Sequence, residues 1–218
     1  MGEITLADKF GQCIARTVRD NGCRNNLEIG SYDGSGSTQC FIEGMRDMEG
    51  NKSLTCLEID PERFGILQSV VSPWSWVKCY NQSSIRKSDI IPKNFDEVWD
   101  SPHNNHLYGR KEYPRELVNK WYIDDMKKFG NAGFLGSQDD RPRWDAVLID
   151  GCEFTGYSEW ALLKDRVKCV FLDDVFHAYK CAQIYNELLC DPAWMLLEKD
   201  TEVRNGYAVF AKFNLMWP

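Results

Sequence analysis

Apolar residues recur at four-residue intervals at Leu6, Phe10, Ile14 and Val18, which sets them along one side of a helix, and Asn21-Gly22 supplies its stop. The period then changes. Asn26-Leu27-Glu28-Ile29 predicts a short buried strand running into Gly30-Ser31-Tyr32-Asp33-Gly34-Ser35-Gly36, after which Phe41, Met45 and Met48 mark a second helical face. Leu54 to Ile59 predicts a second strand, followed by Asp60-Pro61-Glu62, where the aspartate caps a helix and the proline takes its first position. Phe64, Leu67 and Val71 continue that helix, so the unit is βαβα.

Three further runs predict strands: Trp76 to Tyr80, Trp144 to Ile149 and Lys168 to Leu172, the last two leading directly into aspartates. Strands this apolar belong to a sheet covered on both faces. The tail differs, because Trp194 to Leu197 and Tyr207 to Phe210 are separated by a polar stretch ending in Asn205-Gly206, a hairpin signal. The expected architecture is an α/β, Rossmann-like, mostly parallel seven-stranded sheet with a terminal antiparallel hairpin and helices on both faces. About 55 residues lie between the third and fourth strands, far more than a crossover needs. The reading is one domain over residues 1–218 with an insertion at about 87–143, containing a helix from about Arg115 to Phe129 and the polar aromatic stretch Trp99 to Tyr108.

Composition narrows the function. The 218 residues carry 26 Lys and Arg against 33 Asp and Glu, a net charge of -7, which offers no general attraction to nucleic acid or to anionic membranes. No apolar run approaches the ~20 residues of a membrane span, and the first ten residues lack the basic start and apolar run of a signal peptide. Nine cysteines stand singly, without a C-x-x-C pair, which fits reduced core thiols and predicts a cytoplasmic protein.

Glycines between a strand and a helix let the backbone approach a nucleotide-like ligand, and the helix start offers unpaired N–H groups. Glu28, two residues before the first glycine, and Asp150, at the end of the fourth strand, are expected to contact the same ligand, and Glu58, at the end of the second strand, can accept from both hydroxyls of a ribose. The same glycine spacing suits short-chain dehydrogenases, but none of the tyrosines is followed four residues on by the lysine that their chemistry needs. The segment Leu27 to Ser37 instead resembles the first motif of class I S-adenosylmethionine-dependent methyltransferases, and is most similar to metal-dependent small-molecule O-methyltransferases of the catechol and macrolide-sugar type. The resemblance extends over the strand pattern from about Leu27 to Phe213 and leaves out the insertion. It implies that Gly30, Tyr32, Gly34 and Gly36 surround the methionine part of S-adenosylmethionine, that Glu58 holds the ribose, and that Gln82, Ser83 and Ser84 touch adenine.

Asp150 closes the fourth strand and Asp173-Asp174 the fifth, and neighbouring parallel strands deliver their ends to one crevice. Three converging carboxylates oppose one another's ionisation unless a cation joins them, and an all-oxygen set suits Mg²⁺ or a similar divalent ion. The alternative is that Asp173 and Asp174 cap the following helix. The resemblance implies the metal set Asp150, Asp173 and Asp174, with an Asp-Asp pair as in the branch acting on sugars and hydroxyls. The family's base is missing, since Asp150 is followed by Gly151-Cys152-Glu153; Glu153, or His177 in the helix expected after Asp174, is a candidate base. Cys152 lacks a neighbouring base that would make it a nucleophile, and His103 and His106 are too few for zinc. Trp99 and Tyr108 are expected to line an acceptor pocket.

These residues predict a metal-assisted O-methyltransferase using S-adenosylmethionine on a small hydroxylated or glycosylated acceptor, with no nucleic-acid or membrane partner and with room for a homo-oligomer. Two other readings stay open. One is a metal-independent methyltransferase, and the other a non-catalytic binding module that keeps the cofactor fold.

Overall fold

The alternating strand and helix pattern is realised as one seven-stranded sheet in a computed structural model, which describes residues 3–104, 113–136, 143–176 and 179–213. In chain order the elements are α1 (Lys9–Asp20), β1 (Asn25–Ile29), α2 (Ser37–Met45), β2 (Ser53–Leu57), α3 (Pro61–Val71), β3 (Val77–Tyr80), α4 (Phe95–Trp99) and α5 (Arg115–Met126). Then come β4 (Trp144–Ile149), α6 (Gly156–Leu163), β5 (Val167–Asp173), α7 (Ala182–Cys190), β6 (Trp194–Asp200) and β7 (Tyr207–Lys212). The strand order is β3-β2-β1-β4-β5-β7-β6, with β7 antiparallel to both neighbours and the other pairs parallel. The order reverses between β1 and β4, the point at which open α/β sheets leave a crevice for ligands.

The two-residue period of the strands sorts side chains onto two cores. Leu27, Ile29, Val147, Ile149, Val170 and Leu172 pack under Trp160 of α6 and Ile184 of α7. On the other face Ala146, Leu148, Cys169 and Phe171 meet Phe10 and Ile14 of α1 and Phe41 of α2. Cover on both faces holds for the central strands, whereas β3 and β6, at the edges, alternate toward solvent. The caps follow the chemistry of their residues: Asp60 accepts from the Glu62 and Arg63 N–H groups with Pro61 at the helix start. In α1 the cap is Asp8, so Leu6 precedes the helix and stays exposed.

The hairpin differs from a tight turn, since residues 201–206 separate β6 from β7. Gly206 has φ +82° and a Cβ there would lie 2.1 Å from the Phe176 ring. Asn205 and Gly206 therefore serve the exit of β5, accepting from the N–H groups of Phe176 and Val175. The described part of the insertion is packed against the rest of the chain. Phe95, Val98, Val118 and Tyr122 form a third apolar cluster with Phe154, after β4, and Tyr179, after β5. Six cysteines (13, 23, 40, 56, 169 and 181) are buried, and all nine are free thiols. Among the described residues no helix is long and apolar enough to cross a membrane.

The join between insertion and sheet is open to test through Phe154, which is buried and packs edge-on against Tyr122 at 5.3 Å between ring centroids. Phe154→Ala should cost ~3–5 kcal/mol in urea unfolding. Limited proteolysis should then cut first within residues 87–143, while an unchanged unfolding midpoint would mean that this contact contributes little.

Candidate active site

A cavity of about 470 Å³ opens at the carboxyl ends of the parallel strands. Its walls come from the loop after β1, the ends of β2 and β3, the exits of β4 and β5, and Asp125, Lys128 and Phe129 of the insertion. The close approach of β1 and β4 shapes its floor. Gly30 has φ +88°, and a Cβ there would lie 2.1 Å from the Asp150 carbonyl oxygen, so only glycine lets the two strand ends pass.

The predicted glycine loop divides into residues that face the cavity and residues that build it. Gly30, Tyr32 and Gly36 line it. Tyr32 takes a left-handed φ of 51°, donates its N–H to Glu58 at 2.9 Å, and lies under the Arg63 guanidinium at 4.4 Å. Gly34 does not face the cavity; a Cβ there would meet Leu67 of α3 at 2.8 Å, so its lack of a side chain serves packing. Glu28 is also displaced from the expected contact with cofactor, because both its oxygens accept from hydroxyls at the start of α2, Ser37 at 2.6 Å and Thr38 at 2.7 Å. Burial pushes its carboxyl up despite those bonds, and its work is to tie β1 to α2.

Glu58 lines the cavity, with one oxygen accepting from Tyr32 N–H and the other from Asp60 N–H. Burial raises its carboxyl, and each oxygen keeps a lone pair for a ligand hydroxyl. Gln82, Ser83 and Ser84 also reach the cavity wall. Behind them stands Glu159, in the first turn of α6, which no sequence motif marks. Its Oε1 accepts from Ser84 at 2.5 Å and from Thr155 at 3.3 Å, while Oε2 is buried without a protein partner among the described residues. Burial pushes this carboxyl up to about 7.

The three strand-end aspartates converge as expected, with one carboxylate oxygen from each of Asp150, Asp173 and Asp174 within 4.8 Å of one another. They do not cap a helix: α7 starts only at Ala182 and its N-cap is Cys181. Asp174 instead holds a left-handed φ of 54°, and its carboxylate accepts from the Asn205 amide at 2.9 Å. Among the described residues after Asp174, Val175, Phe176, Tyr179 and Lys180 are not helical, and the next described helix is α7. His177, like His106 and Tyr108, lies outside the described residues. Trp99 packs beside Phe95 and Arg115, away from the cavity lining, while Glu153 and Cys152 do line it.

The unpredicted residue is Lys180. Its Nζ lies 2.7 Å from Asp150, 2.7 Å from Asp174 and 3.9 Å from Glu153, and the side chain is 6 % exposed. Asp173 is held by Arg204 at 2.9 Å, and Arg204 also reaches Asp8 at 3.8 Å. Burial pushes Asp150 up to about 6, and burial with the charges of Asp150 and Asp174 pushes Asp173 up to about 7. Burial works the same way on Asp174, but the ammonium of Lys180 outweighs it and holds that carboxyl below the usual range. For Lys180 burial opposes the charge, and the surrounding carboxylates keep it protonated. The expected divalent ion fits this donor set poorly. Two of its three ligands already share an ammonium and the third a guanidinium, so an ion would have to displace Lys180 from between Asp150 and Asp174.

No protein-family model and no curated protein matches the sequence. Solved structures do. The chain is similar to cofactor-bound Rv0187 from MTB, with TM-score 0.61 and 12% identity over 97% of this chain and 83% of that one. It is also similar to the O-methyltransferase from Bacillus cereus in complex with SAH, with TM-score 0.56 and 12% identity over 93% and 80%. The O-methyltransferase TomG from Streptomyces achromogenes, involved in tomaymycin synthesis and solved in complex with SAM, matches with TM-score 0.55 and 11% identity over 93% and 78%. The chain therefore has the class I S-adenosylmethionine-dependent methyltransferase fold, with its terminal antiparallel β7.

Glu159 gives this site a pH signature. A carboxyl raised from 4.5 to about 7 keeps its proton in the folded state after the unfolded chain has released it, so its contribution to stability is full below about pH 4.5 and is lost as pH rises to 7. Glu159→Gln keeps an acceptor for Ser84 but cannot ionise. Relative to the variant, the wild type should lose about 3 kcal/mol of unfolding free energy between those limits. Urea titrations of both proteins at several pH values check it.

Proposed function

We propose that this protein is an S-adenosylmethionine-dependent O-methyltransferase acting on a small hydroxylated or glycosylated molecule, in a reducing compartment such as the cytoplasm. The observation that carries the reading is the meeting, in one cavity, of the glycine loop and Glu58 with the charged group of Asp150, Asp174 and Lys180. The adenosyl half of the cofactor would take the side of Glu58, whose two oxygens suit paired ribose hydroxyls, with Gln82, Ser83, Ser84 and the unpartnered oxygen of Glu159 toward the base. The backbone at Gly30, Tyr32 and Gly36 would flank the methionine part, which turns the sulfonium toward Asp150.

The acceptor would enter beside Asp125, Lys128 and Phe129, a polar wall with one aromatic ring that suits a ligand carrying several hydroxyls. Its hydroxyl oxygen attacks the methyl carbon in line with the departing sulfur. A carbon–oxygen bond forms, the carbon–sulfur bond breaks with its electron pair passing to sulfur, and the hydroxyl proton passes to a carboxylate of the cluster, Asp150 or Glu153. Holding the two reactants in that line is the main source of acceleration. The resemblance implies Mg²⁺ at Asp150, Asp173 and Asp174, but the cations already paired with these carboxylates favour methyl transfer without a required divalent ion.

Calorimetric titration with S-adenosylmethionine should show saturable binding, and Glu58→Ala should weaken it at least about tenfold, the worth of a hydrogen bond to a charged group. With methyl-labelled cofactor and a panel of polyhydroxylated acceptors, label should appear on an acceptor oxygen. Absence of cofactor binding by the wild type overturns the reading.

A further inference from the structure

The geometry points to Lys180 as a tethered cation that stands where a divalent metal would otherwise bridge the strand-end carboxylates, making it a catalytic residue that grips the acceptor oxygen. Three observations support this. The Nζ sits at 2.7 Å from both Asp150 and Asp174, so one ammonium already joins the ends of β4 and β5. The side chain is buried yet forms part of the cavity wall, so it is withdrawn from bulk water and still meets whatever enters. The remaining carboxylate, Asp173, has its own partner in Arg204, which leaves no pair of these acids uncompensated for an incoming ion.

The chemistry of the residue fits the task. An ammonium has three N–H donors, and Asp150 and Asp174 take two, leaving one for a ligand oxygen. A hydrogen bond from that donor, inside a cavity of low dielectric, fixes the acceptor oxygen and stabilises negative charge as its proton leaves for Asp150 or Glu153. A metal ion supplies the same two effects, orientation and charge stabilisation, but it must be recruited from solution. Here the cation is part of the chain. Its carboxylate partners serve in turn to hold it, since a buried lysine without them would give up its proton.

The assignment of Lys180 to the acceptor rests on the methyltransferase reading, but its cation chemistry is measured without cofactor or substrate. Mn²⁺ titrated into the wild-type protein and followed by electron paramagnetic resonance should show no saturable site tighter than about 1 mM. Lys180→Met frees Asp150 and Asp174 and should gain a site at least tenfold tighter, which Asp174→Asn in the same background removes. Lys180→Arg keeps a cation in place and should gain no Mn²⁺ site, and if the Met variant does not fold, Lys180→Gln, which also removes the cation, takes its place. Turnover by the wild type should be unchanged by EDTA and should fall at least a hundredfold in Lys180→Met, while S-adenosylmethionine binding falls less than threefold. Saturable Mn²⁺ binding by the wild type that is lost in Asp174→Asn overturns the inference, as does turnover abolished by EDTA. Failure of the wild type to bind S-adenosylmethionine would instead overturn the methyltransferase reading, and would leave the Mn²⁺ result to decide whether Lys180 holds the metal's place.

Discussion

Bringing the ends of β4 and β5 side by side puts a carboxylate oxygen of each of Asp150, Asp173 and Asp174 within 4.8 Å of the others, and like charges so close oppose one another's ionisation unless cations meet them. Lys180 and Arg204 do so, and much of the surrounding architecture serves to deliver those two side chains. Residues 201–206 bring Arg204 to Asp173 and the Asn205 amide to Asp174, and Gly206 has no side chain because the Phe176 ring occupies the space. After β5, Asp174 takes a left-handed φ, and Lys180 lies against the carboxylates of Asp150 and Asp174. Removing either cation would leave a buried unpaired carboxylate, which is far more damaging than the loss of an exposed ion pair.

The same charge arrangement sets the chemistry available to the cavity. A buried ammonium flanked by carboxylates can orient a polar ligand and lies next to groups able to take a proton, and both tasks are required for attack by a hydroxyl. The opposite wall is quieter. Glu58 and Glu159 hold their positions through backbone and hydroxyl donors rather than through lysine or arginine, which leaves them as acceptors for neutral polar groups such as hydroxyls and amines. One cavity thus has a side where carboxylates are paired with Lys180 and Arg204, and a side where Glu58 and Glu159 are held by backbone and hydroxyl donors.

The insertion completes the enclosure. Its helices α4 and α5 pack on Phe154 and Tyr179, the residues that follow the two aspartate-bearing strands, so the segment that gives Asp125, Lys128 and Phe129 to the cavity wall is anchored to the loops that carry the charges. Changes in that wall and changes in the charged cluster are therefore mechanically linked through two aromatic contacts.

Much of this was legible in the residue order, and for local reasons. Short apolar runs with β-branched residues, an Asp-Pro helix start and a glycine-rich strand exit act through near neighbours, so the strands, their order in the chain and the placement of Gly30 and Glu58 on the cavity wall could be read directly. The convergence of the three aspartates followed from topology alone, because parallel strands end on one edge. What only the tertiary structure decided involves partners distant in sequence. Lys180 is 30 residues from Asp150, and Arg204 is 31 from Asp173. Neither pairing leaves a periodic or motif-like trace, because a long flexible side chain can be recruited from any loop that the fold brings near. Glu28 and Gly34 show the converse. Both stand in a motif that names a ligand, yet packing turned one onto Ser37 and Thr38 and the other onto Leu67. Residue type and spacing determined which groups would gather at the sheet's edge, and the packing of distant loops decided which cation they would share.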